Sequence, residues 1–248
     1  MLKSGEKMPI VNCDVKSLEN VVAAELSQDK VMMTEIREKQ DLHSNNQRAF
    51  GLPTRGVAKT LVFRILYGGG AYSFSQDPDF THVSKSVKYW ENAIEAFYAK
   101  YQGIKEWHER LIHTAQTDGV LQIPSGRQFP ITPVVNKWKG SLDWPITVIK
   151  NYPVQGFGAD LVMLARLEAS KRLKASGLEY KLISTIHDSI VADCPSDCSH
   201  AVGRILFDSI EYVPTLCKQV FGYDFSLPLT SEVQYGPNKK EMVDMKFD

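Results

Sequence analysis

The chain has 248 residues, 43% hydrophobic and 23% charged, the composition of a globular protein with room for one large domain or two small ones. Its 29 basic and 29 acidic residues cancel, so no global field draws it to nucleic acid, and any such site has to be a local basic patch. In chain order, "PIVNCD" (9–14) is a short apolar run ending in Asp14 and suits a buried strand. "SLENVVAAELSQ" (17–28) has helical spacing with Ser17 as N-cap, and "DLHSNNQRAFG" (41–51) is a second helix closed by Gly51. Pro53 and Thr54 open a third helix that ends at Gly68-Gly69-Gly70, and 75–83 is expected to be an exposed loop. Residues 86–119 alternate apolar and charged positions at helical period with a break at Gly103, and 120–132 form a hairpin turning at Ser125-Gly126. A long amphipathic helix over 154–177 precedes "YKLISTIHDSIVADCP" (180–195), two apolar strands meeting at His187-Asp188. Strands at both ends with helices between them predict an α+β layer holding a helical insertion. The four cysteines, Cys13, Cys194, Cys198 and Cys217, do not make a disulfide framework, and the C-x3-C pair lacks further ligands; free thiols in a reducing compartment are expected. No run approaches the roughly 18 apolar residues of a membrane span, and the first residues lack the apolar stretch of a signal peptide. The expected class is a soluble, cytoplasmic protein with no membrane partner.

Two features carry chemistry. Within "RGVAKTLVFRILYGGG" (55–70), Arg55, Lys59, Phe63 and Tyr67 recur every four residues and form a slowly rotating stripe on one helix side. Cations in the N-terminal half oppose the macrodipole, so helix stability does not ask for them. They suit an arriving polyanion, since Lys, Arg and the helix end then act together on phosphate. The two aromatics beyond offer faces for stacking on a base. The structural alternative makes Phe63 and Tyr67 core residues and leaves the cations solvated. The second feature is the pair Asp14 and Asp188, each at an apolar strand. A carboxylate there is costly unless something positive meets it. Two such strands side by side would offer carboxylates to two divalent cations about 3.5–4 Å apart, as in-line nucleotidyl transfer requires.

These segments resemble the catalytic core of a family A DNA polymerase, the DNA polymerase I group, in a phage-like member. "CDVKSLENVVAAELS" is similar to the family's first catalytic motif, and "RGVAKTLVFRILYGGG" matches R-x3-K-x3-F-x3-Y-G at every fixed position. "NYPVQGFGADLVMLA" and "STIHDSIVAD" resemble the later motifs, in the family's order. The resemblance implies a right-hand core with a discontinuous palm (1–35 and 146–248), fingers at 36–145, and no thumb or exonuclease domain. It implies Asp14, Asp188 and the Val15 carbonyl as ligands of two Mg²⁺ ions, with Mn²⁺ as a substitute. Arg55 and Lys59 would hold the triphosphate of a dNTP, and Lys59 would protonate the leaving pyrophosphate. Phe63 and Tyr67 would line the sugar and nascent base pair, and Glu19 under the sugar would obstruct a 2′-hydroxyl. Gly68, Asn151, Gln155 and His187 would face primer–template DNA. The chain departs from the family at Ser189, where Glu is usual, and at Val15 and Lys16; Arg127 in "PSGRQFP" receives no firm role. The chain is expected to be the C-terminal half of a split polymerase, a truncation or a minimal enzyme, and in the split case a separate N-terminal polypeptide carrying thumb and exonuclease is the expected partner. The alternatives are a non-catalytic DNA-binding remnant and a single-subunit RNA polymerase, against which Glu19 argues.

Overall fold

The computed structural model describes residues 8–136 and 140–247. In chain order the elements are β1 (Ile10–Val15), α1 (Leu18–Ser27), α2 (Lys30–Arg37), α3 (Leu42–Ala49) and α4 (Arg55–Leu66). There follow α5 (Ala71–Gln76), α6 (Pro78–Thr81), α7 (Val87–Lys100), α8 (Gln102–Asp118), β2 (Val120–Gln122) and β3 (Gln128–Pro130). Next come β4 (Val134–Val135), β5 (Leu142–Asp143), α9 (Ile146–Ser176), β6 (Lys181–Ile186) and β7 (Ser189–Asp193). The last are α10 (Ser199–Glu211), α11 (Val213–Phe221), β8 (Ser231–Asn238) and β9 (Glu241–Met245). The class is α+β. Contacts divide the chain into two compact units, Met1–Leu18 with Gly158–Asp248, and Glu19–Phe157.

The first unit is built on an antiparallel sheet of order β6-β7-β1-β8-β9. Strand periodicity of two sends Val11, Cys13 and Val15 to one face, where they are buried, and leaves Ile10, Asn12 and Asp14 half-buried on the other. Helix α10 covers the apolar face through Val202, Leu206 and Ile210. It lies so close that a Cβ on Gly203 would be 3.2 Å from the Val233 side chain. Strand β1 is therefore central, and whatever chemistry Asp14 performs belongs to the face away from α10.

The second unit is mostly helical. Its core includes a cluster in which Phe74, Phe80 and Trp90 meet with ring centroids 5.1–5.8 Å apart. That cluster corrects the expected loop at 75–83: Phe74, Ser75 and Phe80 are buried in α5 and α6. Asp77 caps α6 through the Asp79 amide, with Pro78 opening the helix. Aromatic burial overrides the polar composition of the segment. The break expected at Gly103 falls instead at Tyr101, between α7 and α8. Gly103 serves a different purpose. Asp29 caps α2 through the Met32 amide (2.8 Å) and also accepts from the Gly103 amide (2.8 Å) at the start of α8. A Cβ on Gly103 would stand 2.7 Å from the Asp29 Cα. Glu35 on α2 accepts from Lys100 (2.8 Å) and from the Tyr101 hydroxyl (2.7 Å). These bonds tie Asp29 and Glu35 to the helical unit, which begins after Leu18. That unit ends at Phe157. The first turns of α9 pack on the helical unit: a Cβ on Gly156 would overlap the Phe129 ring at 2.5 Å. Helix α9 also begins at Ile146 rather than 154 and carries Pro153 within it.

Candidate active site

Each compact unit carries one group of the predicted residues. In the first unit, β6 and β7 form a hairpin whose two-residue turn is His187-Asp188, with Ile186 opposite Ser189. His187 takes φ 53°, the left-handed conformation such a turn demands at its first central position. Across β1 and β7, Asp14 stands opposite Ser189, and the Val15 amide donates to the Asp188 carbonyl at 3.1 Å. Asp14 on β1 and Asp188 in the turn just before β7 thus lie one register position apart, both half-buried. A half-open position spares a carboxylate the full cost of burial. Cys13 points the other way, into the core, and burial pushes its thiol up to about 12. It stays protonated and does not compete for a cation. Ser189 is buried and its hydroxyl donates to the Ile186 carbonyl at 3.0 Å, back into its own hairpin.

The ligands expected from the sequence, the Asp14 and Asp188 carboxylates and the Val15 main-chain carbonyl, would all offer oxygen. That chemistry fits a hard cation such as Mg²⁺, which keeps water and substrate phosphate in the rest of its shell. Among the described residues no group of three or more His, Cys, Asp or Glu side chains is arranged to hold a metal by itself. Two carboxylates fit the partial, substrate-completed kind of site.

In the second unit, Thr54 caps α4 by accepting from the Val57 amide at 3.2 Å. Val57, Ala58, Leu61, Val62, Ile65 and Leu66 are its buried face. Arg55 and Lys59 are exposed, while Phe63 and Tyr67 are half-buried at the edge of that face. The aromatics are therefore neither full core nor free surface. Lys59 Nζ lies 5.9 Å from the centre of the Phe63 ring. Arg55 Nε donates to Asp41 at 2.8 Å. His43, which the sequence did not single out, is buried, with its ring centroid 6.0 Å from that of Phe63. Burial first, then the charges of Arg55 and Lys59, lower its affinity for a proton. A single His in a polar helix gives no periodic signal; its role emerges only when α3 packs on α4.

Tyr67 is the C-cap of α4, and Gly68 follows at φ 83°. A Cβ on Gly68 would lie 3.3 Å from both the Thr147 Cα and the Lys150 Cδ. The glycine is required by its left-handed backbone and by the first turn of α9 passing against it. Asn151 and Gln155 are one turn apart on α9; Gln155 is exposed, and the Asn151 Oδ1 is buried with no hydrogen-bond partner. Glu19 is half-buried in the first turn of α1. Arg127 is exposed at the β2–β3 turn, where its carbonyl accepts from the Ile123 amide.

The sequence matches DNA polymerase family A over residues 1–241. The chain belongs to that family. Family A relatives include the thermostable DNA polymerase I of Thermus aquaticus, 27% identical over 92% of this chain and 26% of that protein. DNA polymerase I of Aquifex aeolicus is 26% identical over 85% of this chain and 37% of its own length. The Chloroflexus aurantiacus enzyme is 26% identical over 94% and 24%. The chain therefore spans about a quarter to a third of the length of these family A proteins. The fold is similar to the POL domain of Pol1 from M. smegmatis, solved with DNA primer-template and dNTP. The TM-score is 0.78 at 21% identity, over 94% of this chain and 40% of that one. Among the described residues of this family A chain, no helix is long and apolar enough to cross a membrane.

Proposed function

We propose that this chain is the catalytic core of a template-directed DNA polymerase, adding dNTPs to a primer 3′ end. The observation that carries the reading is the Val15–Asp188 backbone bond, which sets the Asp14 strand beside the Asp188 turn on a half-open sheet face. Asp14, Asp188 and the Val15 carbonyl would hold two Mg²⁺ ions. When bound, such a pair stabilises the attacking 3′ oxygen and the leaving phosphate oxygen of an in-line displacement. Arg55 and Lys59 neutralise the triphosphate, and Lys59 stands as the proton donor to the departing pyrophosphate. Phe63 and Tyr67 line the sugar and the new base pair, and Glu19 excludes a ribose 2′-hydroxyl. Gly68, Asn151, Gln155 and His187 face the primer–template. Membership of DNA polymerase family A supports the substrate class, as does the primer-template and dNTP bound by the M. smegmatis domain.

Most of the relatives' length lies outside the match. Ser189, its hydroxyl turned to Ile186, keeps a non-catalytic DNA-binding role in view as the second reading.

Primer extension with Mg²⁺ and dNTPs, wild type beside Asp188→Ala, separates the readings. Extension by the wild type with a loss of at least about a thousandfold in the variant supports the enzyme. DNA binding without extension by either protein would favour the second reading. Extension with rNTPs as efficient as with dNTPs would refute the role of Glu19.

A further inference from the structure

The N-termini of α3 and α4 are joined by one carboxylate. Asp41 is the N-cap of α3, its Oδ1 accepting from the amides of His43 (3.1 Å) and Ser44 (3.2 Å). Its Oδ2 accepts from the Ser44 hydroxyl (2.7 Å) and from Arg55 Nε (2.8 Å). Arg55 is the first residue of α4. Two helix N-termini, the Arg55 guanidinium and Lys59 one turn further on thus collect positive potential in one place. Asp41 is an anion that the chain supplies there itself.

The pair is anchored on one side only. Two amides and a hydroxyl hold the carboxylate. Helix α3 is pinned from behind by buried Asn46, whose Oδ1 accepts from Lys100 Nζ at 2.7 Å. Arg55 sits on a long stem, its side chain 54% exposed, and is bonded to Asp41 through Nε. If a stronger anion arrives, Arg55 can swing and Asp41 cannot follow.

We propose that Asp41 is an internal counter-anion that engages Arg55 when no nucleotide is bound and thereby sets the site's affinity and selectivity for a triphosphate. The inference rests on the reading of Arg55 and Lys59 as the triphosphate cations. A triphosphate brings several negative charges against one, so it draws Arg55 off the anchored carboxylate; pyrophosphate, with fewer, does so less well. The Arg55 bond also holds the Asp41 carboxyl well below the usual carboxylate range, so the counter-anion is charged at any working pH. Asp41 touches no reacting atom. It is a specificity residue acting through Arg55.

Asn and Ser cap helices about as well as Asp, so Asp41→Asn and Asp41→Ser keep α3 while removing the charge. Binding of inorganic tripolyphosphate and of pyrophosphate to the full chain is measured by calorimetry, with melting temperature as the fold control. Removing one unit charge beside the anion should tighten tripolyphosphate binding about three- to tenfold in both variants. The advantage of tripolyphosphate over pyrophosphate should shrink. A purely structural Asp41 would leave the affinity unchanged or lower it, and either result in folded variants overturns the proposal. Arg55→Ala separates the two levels of argument. If it weakens tripolyphosphate binding while Asp41→Asn changes nothing, the Asp41 inference alone fails. If it binds as the wild type does, the cation-site reading fails and the inference falls with it.

Discussion

Phe63 is the residue at which packing and proposed chemistry meet most closely. It is half-buried, with His43 on one side and the Lys59 ammonium over its ring. Its neighbours hold the ring at the edge of the α4 core. In the family that this chain resembles, Phe at this position disfavours dideoxynucleotides and Tyr accepts them. A hydroxyl there can supply a polar contact that a sugar without its 3′-OH lacks, and such a bond is worth about 1 kcal/mol. Phe63→Tyr should therefore raise dideoxynucleotide incorporation about fivefold relative to the normal nucleotide. Chain-termination frequency on a sequencing template measures this, and an unchanged frequency would count against the placement of Phe63 at the sugar.

Among the elements, α7, α8 and α9 are tied by a buried polar chain. Lys150 on α9 donates to the Tyr98 hydroxyl at 3.3 Å, and that hydroxyl lies 3.0 Å from Nδ1 of His108. Burial, with the nearby Lys150 charge adding to it, pushes the proton affinity of His108 down to about 3. The unfolded chain takes up this proton near the ordinary value of 6.5, whereas the folded one does not until far lower pH. His108 therefore contributes its full stability above about pH 6.5, and that contribution is lost as the pH falls toward 3, by up to ~1.4 kcal/mol per pH unit. His43 is shifted in the same direction and adds to the slope. Urea midpoints between pH 7 and 4.5 should fall for the wild type and fall less steeply for His108→Gln. Parallel curves would show that the imidazole is not held neutral. The same packing explains why α9 begins earlier than its sequence suggests. Pro153 marks a boundary in an isolated chain, yet Lys150 before it and Gly156 after it are packed against Tyr98 and Phe129.

For the whole molecule, a formal charge of zero means that DNA is not drawn in by a long-range field. Affinity for primer–template then rests on local contacts such as those proposed for Asn151, Gln155 and His187. We expect distributive synthesis: with a heparin trap present, each binding event should add only a few nucleotides. Long products under the trap would show that this chain grips duplex DNA by itself. What the sequence determined alone was local. The apolar run ending at Asp14, the hairpin at His187-Asp188 and the four-residue stripe of α4 depend on neighbours a few positions away, so strand and helix periodicity reveal them. Tertiary structure decided the rest. The placing of β1 between β7 and β8 sets Asp14 beside Asp188. Burial of Phe74 and Phe80 against Trp90 turns an expected loop into α5 and α6. The packing of α3 on α4 brings Asp41 and His43 to Arg55 and Phe63. Each joins residues far apart in the chain, and their free energy comes from burial and charge pairing that no local pattern encodes.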